Sequence, residues 1–193
     1  MVGKGYTGTA TTARDAVCAE AEGIWEPLGS QATDAWHVLY VKSRQEKMLA
    51  DELGARGIGH YLPLIREEKY YGRRRFEIER PLFPGYLFLR GTLDEVYTAD
   101  RTKRVARIIQ AIDQRQLDWE LRNIHLALTN RAKLDPYPFL VKGIRVAVRT
   151  GPFRGLQGVV EDRSRVDRLV LQVQLLGTAS SLEIHGAMLE PLD

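Results

Sequence analysis

Pro81-Leu82-Phe83-Pro84-Gly85-Tyr86-Leu87-Phe88-Leu89 is the most apolar stretch of the chain, and its reading decides the fold. Tyr86 to Leu89 carries no polar residue at either parity. A strand with two apolar parities is buried on both faces, so this one belongs at the centre of a sheet. Pro84-Gly85 predicts a kink or bulge just before it, because proline donates no ladder hydrogen bond and glycine tolerates tight turns.

Working outward, Trp36-His37-Val38-Leu39-Tyr40-Val41 reads as a second strand with both faces at least partly buried. Ser43-Arg44-Gln45-Glu46 has the spacing of a helix capping box. The helix behind it is expected to present Met48, Leu49 and Leu53 to a core and to stop at Gly54 or Gly57. Tyr61–Arg66 and Arg75–Arg80 predict a β-hairpin, since Phe76 and Ile78 alternate with Glu77 and Glu79. Its tip, Lys69 to Arg74, mixes cations with aromatic rings and puts Gly72 at the turn. A short helix near Leu93–Ala99 and a strand at Val105–Ile109 follow. Asp113 then caps a helix in which Leu117, Leu121, Ile124 and Leu128 repeat at helical spacing. Interleaved strands and helices joined by short connections argue for an α+β domain on a mixed antiparallel sheet over residues 36–128.

Asn130, Asp135, Pro136 and Pro138 break the periodicity, so residues 129–140 read as a linker. Residues 141–193 are β throughout. Ile144, Val146 and Val148 alternate with Arg145, Ala147 and Arg149, and Thr150-Gly151-Pro152 makes a turn. Leu169 to Leu175 and Leu182 to Ile184 repeat the alternation. Four or five short strands predict a small closed barrel, because closure removes exposed edges. At the other end, residues 1–35 are expected to be a flexible extension: Met1–Thr12 is mostly glycine, threonine and alanine, with too little apolar bulk for a core.

Composition excludes several classes. The single cysteine, Cys18, rules out an internal disulfide. His37, His60, His125 and His185 lack metal-ligand spacing, so no metal and no cofactor are expected. No apolar run approaches the ~20 residues that cross a bilayer. Met1–Ala10 has no apolar segment suited to a signal peptide, and the expectation is a cytoplasmic monomer without membrane contact. The net charge of +3 hides a division, since the first 35 residues are acidic and the body is basic. A basic body permits nucleic-acid contact without proving it. Catalysis has little support: there is no nucleophile elbow, phosphate loop or zinc-protease motif, and Gly57-Ile58-Gly59 lacks a third glycine at the dinucleotide-binding spacing. Glu161-Asp162 reads as a solvated turn. The chain is not expected to be an enzyme.

Two segments carry a family resemblance. Trp36–Val41 with Pro81–Leu89 resembles the NGN domain of NusG proteins, in which an aromatic opening strand and an FPGY strand share one sheet. Gly143 to Val160, with Gly151-Pro152-Phe153, Gly155 and Gly158-Val159-Val160, resembles a KOW motif on an SH3-like barrel. The ordered pair covers about Trp36–Asp193. The wording of Pro81–Phe88, the compact hairpin tip and Asp135-Pro136-Tyr137-Pro138 look more like the specialised RfaH, UpxY and LoaP group than like housekeeping NusG.

The resemblance implies a transcription elongation or antitermination factor acting at particular operons; a general housekeeping NusG factor and a KOW-containing RNA-binding or ribosome-associated protein are the alternatives. The NGN domain would bind the clamp helices of the largest RNA polymerase subunit through Tyr40, Leu82, Phe83, Pro84 and Tyr86. Aromatic anchors commonly carry interface affinity, but ordinary core packing is the competing reading for the same rings. Lys42, Arg44, Gln45 and Lys47 match the region that touches the non-template DNA strand in the specialised relatives; a solvated face is the alternative. At the hairpin tip, Lys69, Tyr70, Tyr71, Arg73, Arg74 and Arg75 combine charge with stacking surfaces suited to single-stranded DNA or nascent RNA. The same residues would equally keep an edge strand soluble. In the barrel, Gly151, Gly155 and Gly158 read as turn and bulge glycines, while Phe153 either caps the barrel or meets a partner. The family's barrels bind a small-subunit ribosomal protein or the termination factor Rho. Clean β alternation from Arg168 to Leu175 predicts a stable barrel rather than a helical refolded form.

Overall fold

The computed structural model describes residues 34–71, 74–137, 143–160 and 168–192, with only the backbone described for Tyr70, Tyr71 and residues 135–137. The expected extension before Asp34, the hairpin residues Gly72 and Arg73, and the Glu161-Asp162 pair lie outside the described residues.

The N-terminal part is a mixed α/β domain. Strands β1 (Ala35–Val41), β2 (His60–Tyr61), β5 (Tyr86–Gly91) and β6 (Val105–Gln110) form an antiparallel sheet in the order β2-β5-β1-β6. The apolar FPGY strand is thus interior, as its two-parity pattern predicts. Its register runs from Ala35 opposite Gly91 to Tyr40 opposite Tyr86. Strands β3 (Leu64–Tyr71) and β4 (Arg74–Pro81) form a separate hairpin. Its first strand starts at Leu64, because Pro63 interrupts the segment after Tyr61.

The sheet's two faces have separate cores. Helices α1 (Glu46–Ala55) and α2 (Leu93–Arg101) belong to the first, in which Leu39, Val41, Leu87 and Leu89 cluster with Leu49, Leu53, Val96 and Ala99. Helix α3 (Gln114–Thr129) belongs to the second, where Trp36, Val38 and Phe88 cluster with Leu117, Leu121 and Ile124. Polar contacts reinforce this layer. Trp36 Nε1 donates to Asp118 Oδ1 at 3.0 Å, and Trp36 N donates to Gln114 Oε1 at 2.6 Å. Asp113 caps α3 as its side chain accepts from Gln116 N.

Two local expectations are corrected. The Ser43 capping box does not form: Gln45 is the N-cap and no side chain caps the helix. Glu46, the intended reciprocal partner, points instead to the turn before β5. The capping box that does exist is at α2, where Glu95 N donates to Thr92 Oγ1 and Thr92 N donates to Glu95 Oε2 at 2.7 Å. Met48 is 53% exposed rather than buried; Leu49 and Leu53 supply the core stripe of α1, with Ala50 packed beside them.

The C-terminal part is β-rich. Its strands are β7 (Asp135–Tyr137), β8 (Ile144–Val148), β9 (Gln157–Val160), β10 (Arg168–Val173), β11 (Thr178–Glu183) and β12 (Leu189–Pro191). They form an antiparallel sheet in the order β12-β8-β9-β10-β11-β7. β7 falls inside the stretch read as linker. The prolines of this stretch hid it, yet an edge strand tolerates proline, and among the described residues β7 pairs only with β11. The alternation expected to run to Leu175 stops at Val173, where Gln174–Leu176 forms a 3-10 turn ending on Gly177 at φ 65°.

Candidate functional site

Helix α3 crosses the sheet from Trp36 on β1 to Tyr61 on β2, whose ring meets His125 edge-on at 5.8 Å. It therefore covers one end of that face and leaves the other end open. The open end holds a cross-strand row. Tyr40 lies opposite Tyr86 on one side and Arg107 on the other. Opposite residues in antiparallel strands share a face, so Arg107, Tyr40 and Tyr86 form one strip. The two tyrosine rings are 5.3 Å apart and tilted by 53°. Tyr40 is 44% exposed, Arg107 is exposed and Tyr86 is half-buried.

The turn Phe83–Tyr86 shapes one border of this strip. Gly85 has φ 84°, the left-handed region that glycine enters without a Cβ penalty, and a Cβ there would stand 3.1 Å from the Tyr40 ring. Gly85 O accepts from Val41 N at 2.7 Å. Gly85 N donates to Glu46 Oε1 at 2.8 Å, and Glu46 is only 7% exposed. Glu46 thus ties the start of α1 to the turn beneath the tyrosines. Sequence reading assigned it a capping role, because local spacing cannot show a contact 39 residues away.

The proposed anchors divide by burial. Pro84 is exposed and Tyr86 half-buried, while Leu82 at 5% and Phe83 at 3% are core residues. Phe83 packs edge-on against Phe88 at 6.2 Å. The alternative reading of core packing therefore describes Leu82 and Phe83, and the accessible apolar surface belongs to Tyr40, Pro84 and Tyr86.

The basic residues after β1 lie next along the chain. Lys42 and Arg44 are exposed, and Arg44 has φ 62°. Lys42 Nζ donates to Lys103 O at 2.6 Å, and Lys103 is also left-handed at φ 60°. Gln45 is half-buried and accepts from Arg104, which also pairs with Glu52 at 3.3 Å. Lys47 is exposed, 3.8 Å from Glu79 of the hairpin. Arg104 and Lys103 join this cluster only through the fold.

On the hairpin, charge is largely matched along its length. Arg66 meets Glu79 at 3.4 Å, Arg80 meets Glu67 at 2.8 Å, and Arg75 pairs with Glu68. Lys69 and Arg74 are exposed, and no ion pair is found for either among the described residues. The tip residue Arg73 and the side chains of Tyr70 and Tyr71 lie outside the description.

In the C-terminal sheet, Gly151 and Gly155 take φ 85° and 87°, and a Cβ at Gly158 would meet the Val170 carbonyl oxygen at 2.8 Å. Gly151 and Gly155 thus lie in turns, and Gly158 is a close approach within β9 rather than a turn or bulge. Phe153 is half-buried and packs against the core. Among the described residues no cluster of histidine, cysteine and carboxylate side chains is placed to hold a metal ion, and no helix is long and apolar enough to cross a membrane.

An antiparallel sheet with an aromatic strip at one end is thus followed by a β-rich part. Residues 34–121 match the family model described as NusG, transcription termination factor nusG. The transcription termination/antitermination protein NusG of Helicobacter pylori is 30% identical over 120 residues, spanning 60% of this chain and 68% of that protein. The protein of the same name from Borreliella burgdorferi is 24% identical over 186 residues, spanning 82% of this chain and 98% of its own. The chain belongs to the NusG family. A chain from the solved MjSpt4:Spt5 complex is 16% identical and covers 82% of this chain and 97% of its own, at a TM-score of 0.27, too low to bear on the fold.

Proposed function

We propose that this protein is a transcription elongation factor that grips RNA polymerase through its N-terminal domain and promotes processive elongation and antitermination at particular operons. The carrying observation is the Tyr40–Tyr86 pair, with Pro84 beside it, left uncovered at the end of a sheet face that α3 otherwise closes. Exposed aromatic rings on a rigid sheet lose little conformational entropy on binding and suit the apolar flank of a coiled coil, here the clamp helices of the largest polymerase subunit. Leu82 and Phe83 support the turn from beneath. Lys42, Arg44, Lys47 and Lys103 supply charge, and Gln45 a neutral amide, toward the non-template strand, and Lys69, Arg73, Arg74 and Arg75 supply charge toward single-stranded DNA or nascent RNA. A factor that binds the closed, elongating polymerase more tightly than the paused one shifts the population toward elongation. The C-terminal part acts as a KOW domain, closed as an SH3-like barrel, that recruits a small-subunit ribosomal protein or Rho.

The general housekeeping role is the second reading. It is favoured by relatives that bear the general NusG name and match over most of their length. Transcript levels in a deletion strain separate the two: loss at one or a few operons supports the specialist, and genome-wide change supports the general factor.

The docking surface is tested by capturing core RNA polymerase on the tagged full chain. Tyr40→Ala with Tyr86→Ala should abolish most capture. Leu93→Ala with Tyr97→Ala, exposed on α2 across the sheet, should leave it intact. Undiminished capture by the tyrosine variant would overturn the assignment.

A further inference from the structure

Helix α3 carries two working stripes. Gln114, Leu117, Asp118, Leu121 and Ile124 face the four-stranded sheet. Gln116, Trp119, Glu120 and Asn123 recur at i, i+3, i+4 and i+7, so they form a second stripe, and each touches the C-terminal part. Trp119 Nε1 donates to Gln157 Oε1 at 2.9 Å, and Gln157 N donates to Asn123 Oδ1 at 2.7 Å. Gln174 N donates to both Glu120 oxygens, at 3.2 and 3.3 Å. The Arg145 guanidinium lies 4.7 Å over the Trp119 ring and donates to Gln116 Oε1 at 3.2 Å. Apolar residues of the two parts also join one continuous cluster. Adhesion is thus apolar while register is fixed by polar side chains, the make-up of a specific interface.

One member of the stripe works against the rest. Glu120 is 2% exposed, yet its hydrogen bonds come from neutral donors, Gln174 N and Gln116 Nε2. Arg145 faces it from β8, and Asp113 adds like charge from the start of α3. Asp118 is turned away, bonded to Trp36 and Arg122. β9 and β10 bring only Gln157, Gln172 and apolar groups to this place among the described residues. A cavity of about 10 Å³ borders Glu120, Trp119, Asn123 and Gln157, which is room for about one water. A carboxylate so enclosed is poorly solvated.

We infer that α3 and the C-terminal sheet form a reversible latch that the buried Glu120 carboxylate weakens, so that removing its charge tightens the docking. Burial raises the Glu120 pKa above its ordinary 4.5, with Gln116, Gln174 and Arg145 pulling the other way. The docked state therefore prefers the protonated form. Docking is strongest below the ordinary value and weakens as pH rises from there through the raised one. Tyr40 and Arg107 stay exposed and Tyr86 half-buried while the latch is closed, so the latch governs the freedom of the C-terminal part rather than access to the strip. The inference does not depend on polymerase binding.

Amide hydrogen exchange in the full chain tests it, read at Gln157 and Gln174, whose N–H groups bond to α3 side chains, with amides of the β10–β11 ladder as internal reference. Glu120→Gln keeps the shape and an acceptor. It should raise protection at both amides severalfold and remove its decline as pH rises above the ordinary carboxyl value of 4.5. Trp119→Phe deletes a contact at Gln157 and should lower protection at Gln174 as well, because the latch opens as a unit. Unchanged or lower protection in Glu120→Gln, a Trp119→Phe effect confined to Gln157, or equal changes in the reference amides would each overturn the inference.

Discussion

Replacing Glu46 by alanine should destabilise the N-terminal domain and loosen its docking strip together. The side chain is 7% exposed, and its Oε1 accepts the Gly85 N–H at 2.8 Å across the α1–β5 boundary. A hydrogen bond to a charged group contributes about 1.5–3 kcal/mol, and its deletion strands a shielded donor. Glu46 also lies in the first turn of α1, where a negative charge contributes about 0.3–1 kcal/mol against the helix dipole. The two together put the loss at about 2–4 kcal/mol. With a urea slope of about 1.5 kcal/mol/M, the unfolding midpoint should fall by about 1.3–2.7 M. Glu46→Gln retains an oxygen acceptor and should recover more than half the loss. The Gly85 turn borders the Tyr40 ring, so Glu46→Ala should also reduce capture of polymerase at temperatures where the variant remains folded. A midpoint within about 0.3 M of wild type, equivalent to ~0.5 kcal/mol at that slope, would refute the proposed role of the Glu46–Gly85 tie. So would equal losses in the alanine and glutamine variants.

Three further outcomes follow from the same geometry. Gly85→Ala combines a left-handed φ with a methyl placed 3.1 Å from the Tyr40 ring; it should cost about 1–2 kcal/mol in denaturant melts and weaken polymerase capture beyond what stability explains. Burial holds His37 and His125 below their ordinary 6.5, with a Gly91 backbone bond partly opposing this at His37. Both prefer to stay neutral in the fold, so their stability contribution is complete above about pH 6.5 and declines as pH falls below it, where the unfolded chain takes up protons first. Melting temperature should drop from pH 7 to 5.5, and His37→Gln should flatten that drop. Arg74→Ala with Lys69→Ala removes two exposed hairpin cations; if they contact phosphates, single-strand binding should weaken and its log–log salt slope should fall by about 0.7 per lost contact, whereas an unchanged slope excludes the role.

The sequence was most informative where a pattern is local. Two-parity hydrophobicity marked β5 as interior, helical spacing with Asp113 marked α3, and the positions of Gly151 and Gly155 marked turns. It misled where two partners compete for one side chain. Ser43–Glu46 has capping-box spacing, but Glu46 bonds to Gly85, a contact invisible to any window a few residues wide. Asp135-Pro136-Tyr137 has the composition of a linker, yet it supplies an edge strand because proline needs no donor there. Within the candidate strip, residue type identified aromatics suited to docking but not their exposure. Phe83 and Tyr86 are three residues apart on either side of a glycine turn, and that turn sends Phe83 into the core while Tyr86 joins Tyr40 at the surface. Arg107 was missed because its place beside Tyr40 depends on strand order rather than on any motif.

Alone, then, the chain's order of residues determined which segments are strands and helices, that an α/β part precedes a β-rich one, and the family to which both point. Those features arise from backbone preference and the repeat of apolar side chains, which act over a few residues. Tertiary structure decided which rings remain outside, which carboxylates lie inside, and that the polar stripe of α3 meets the C-terminal sheet. Exposure and pairing depend on what arrives from distant parts of the chain, and no local pattern carries that information.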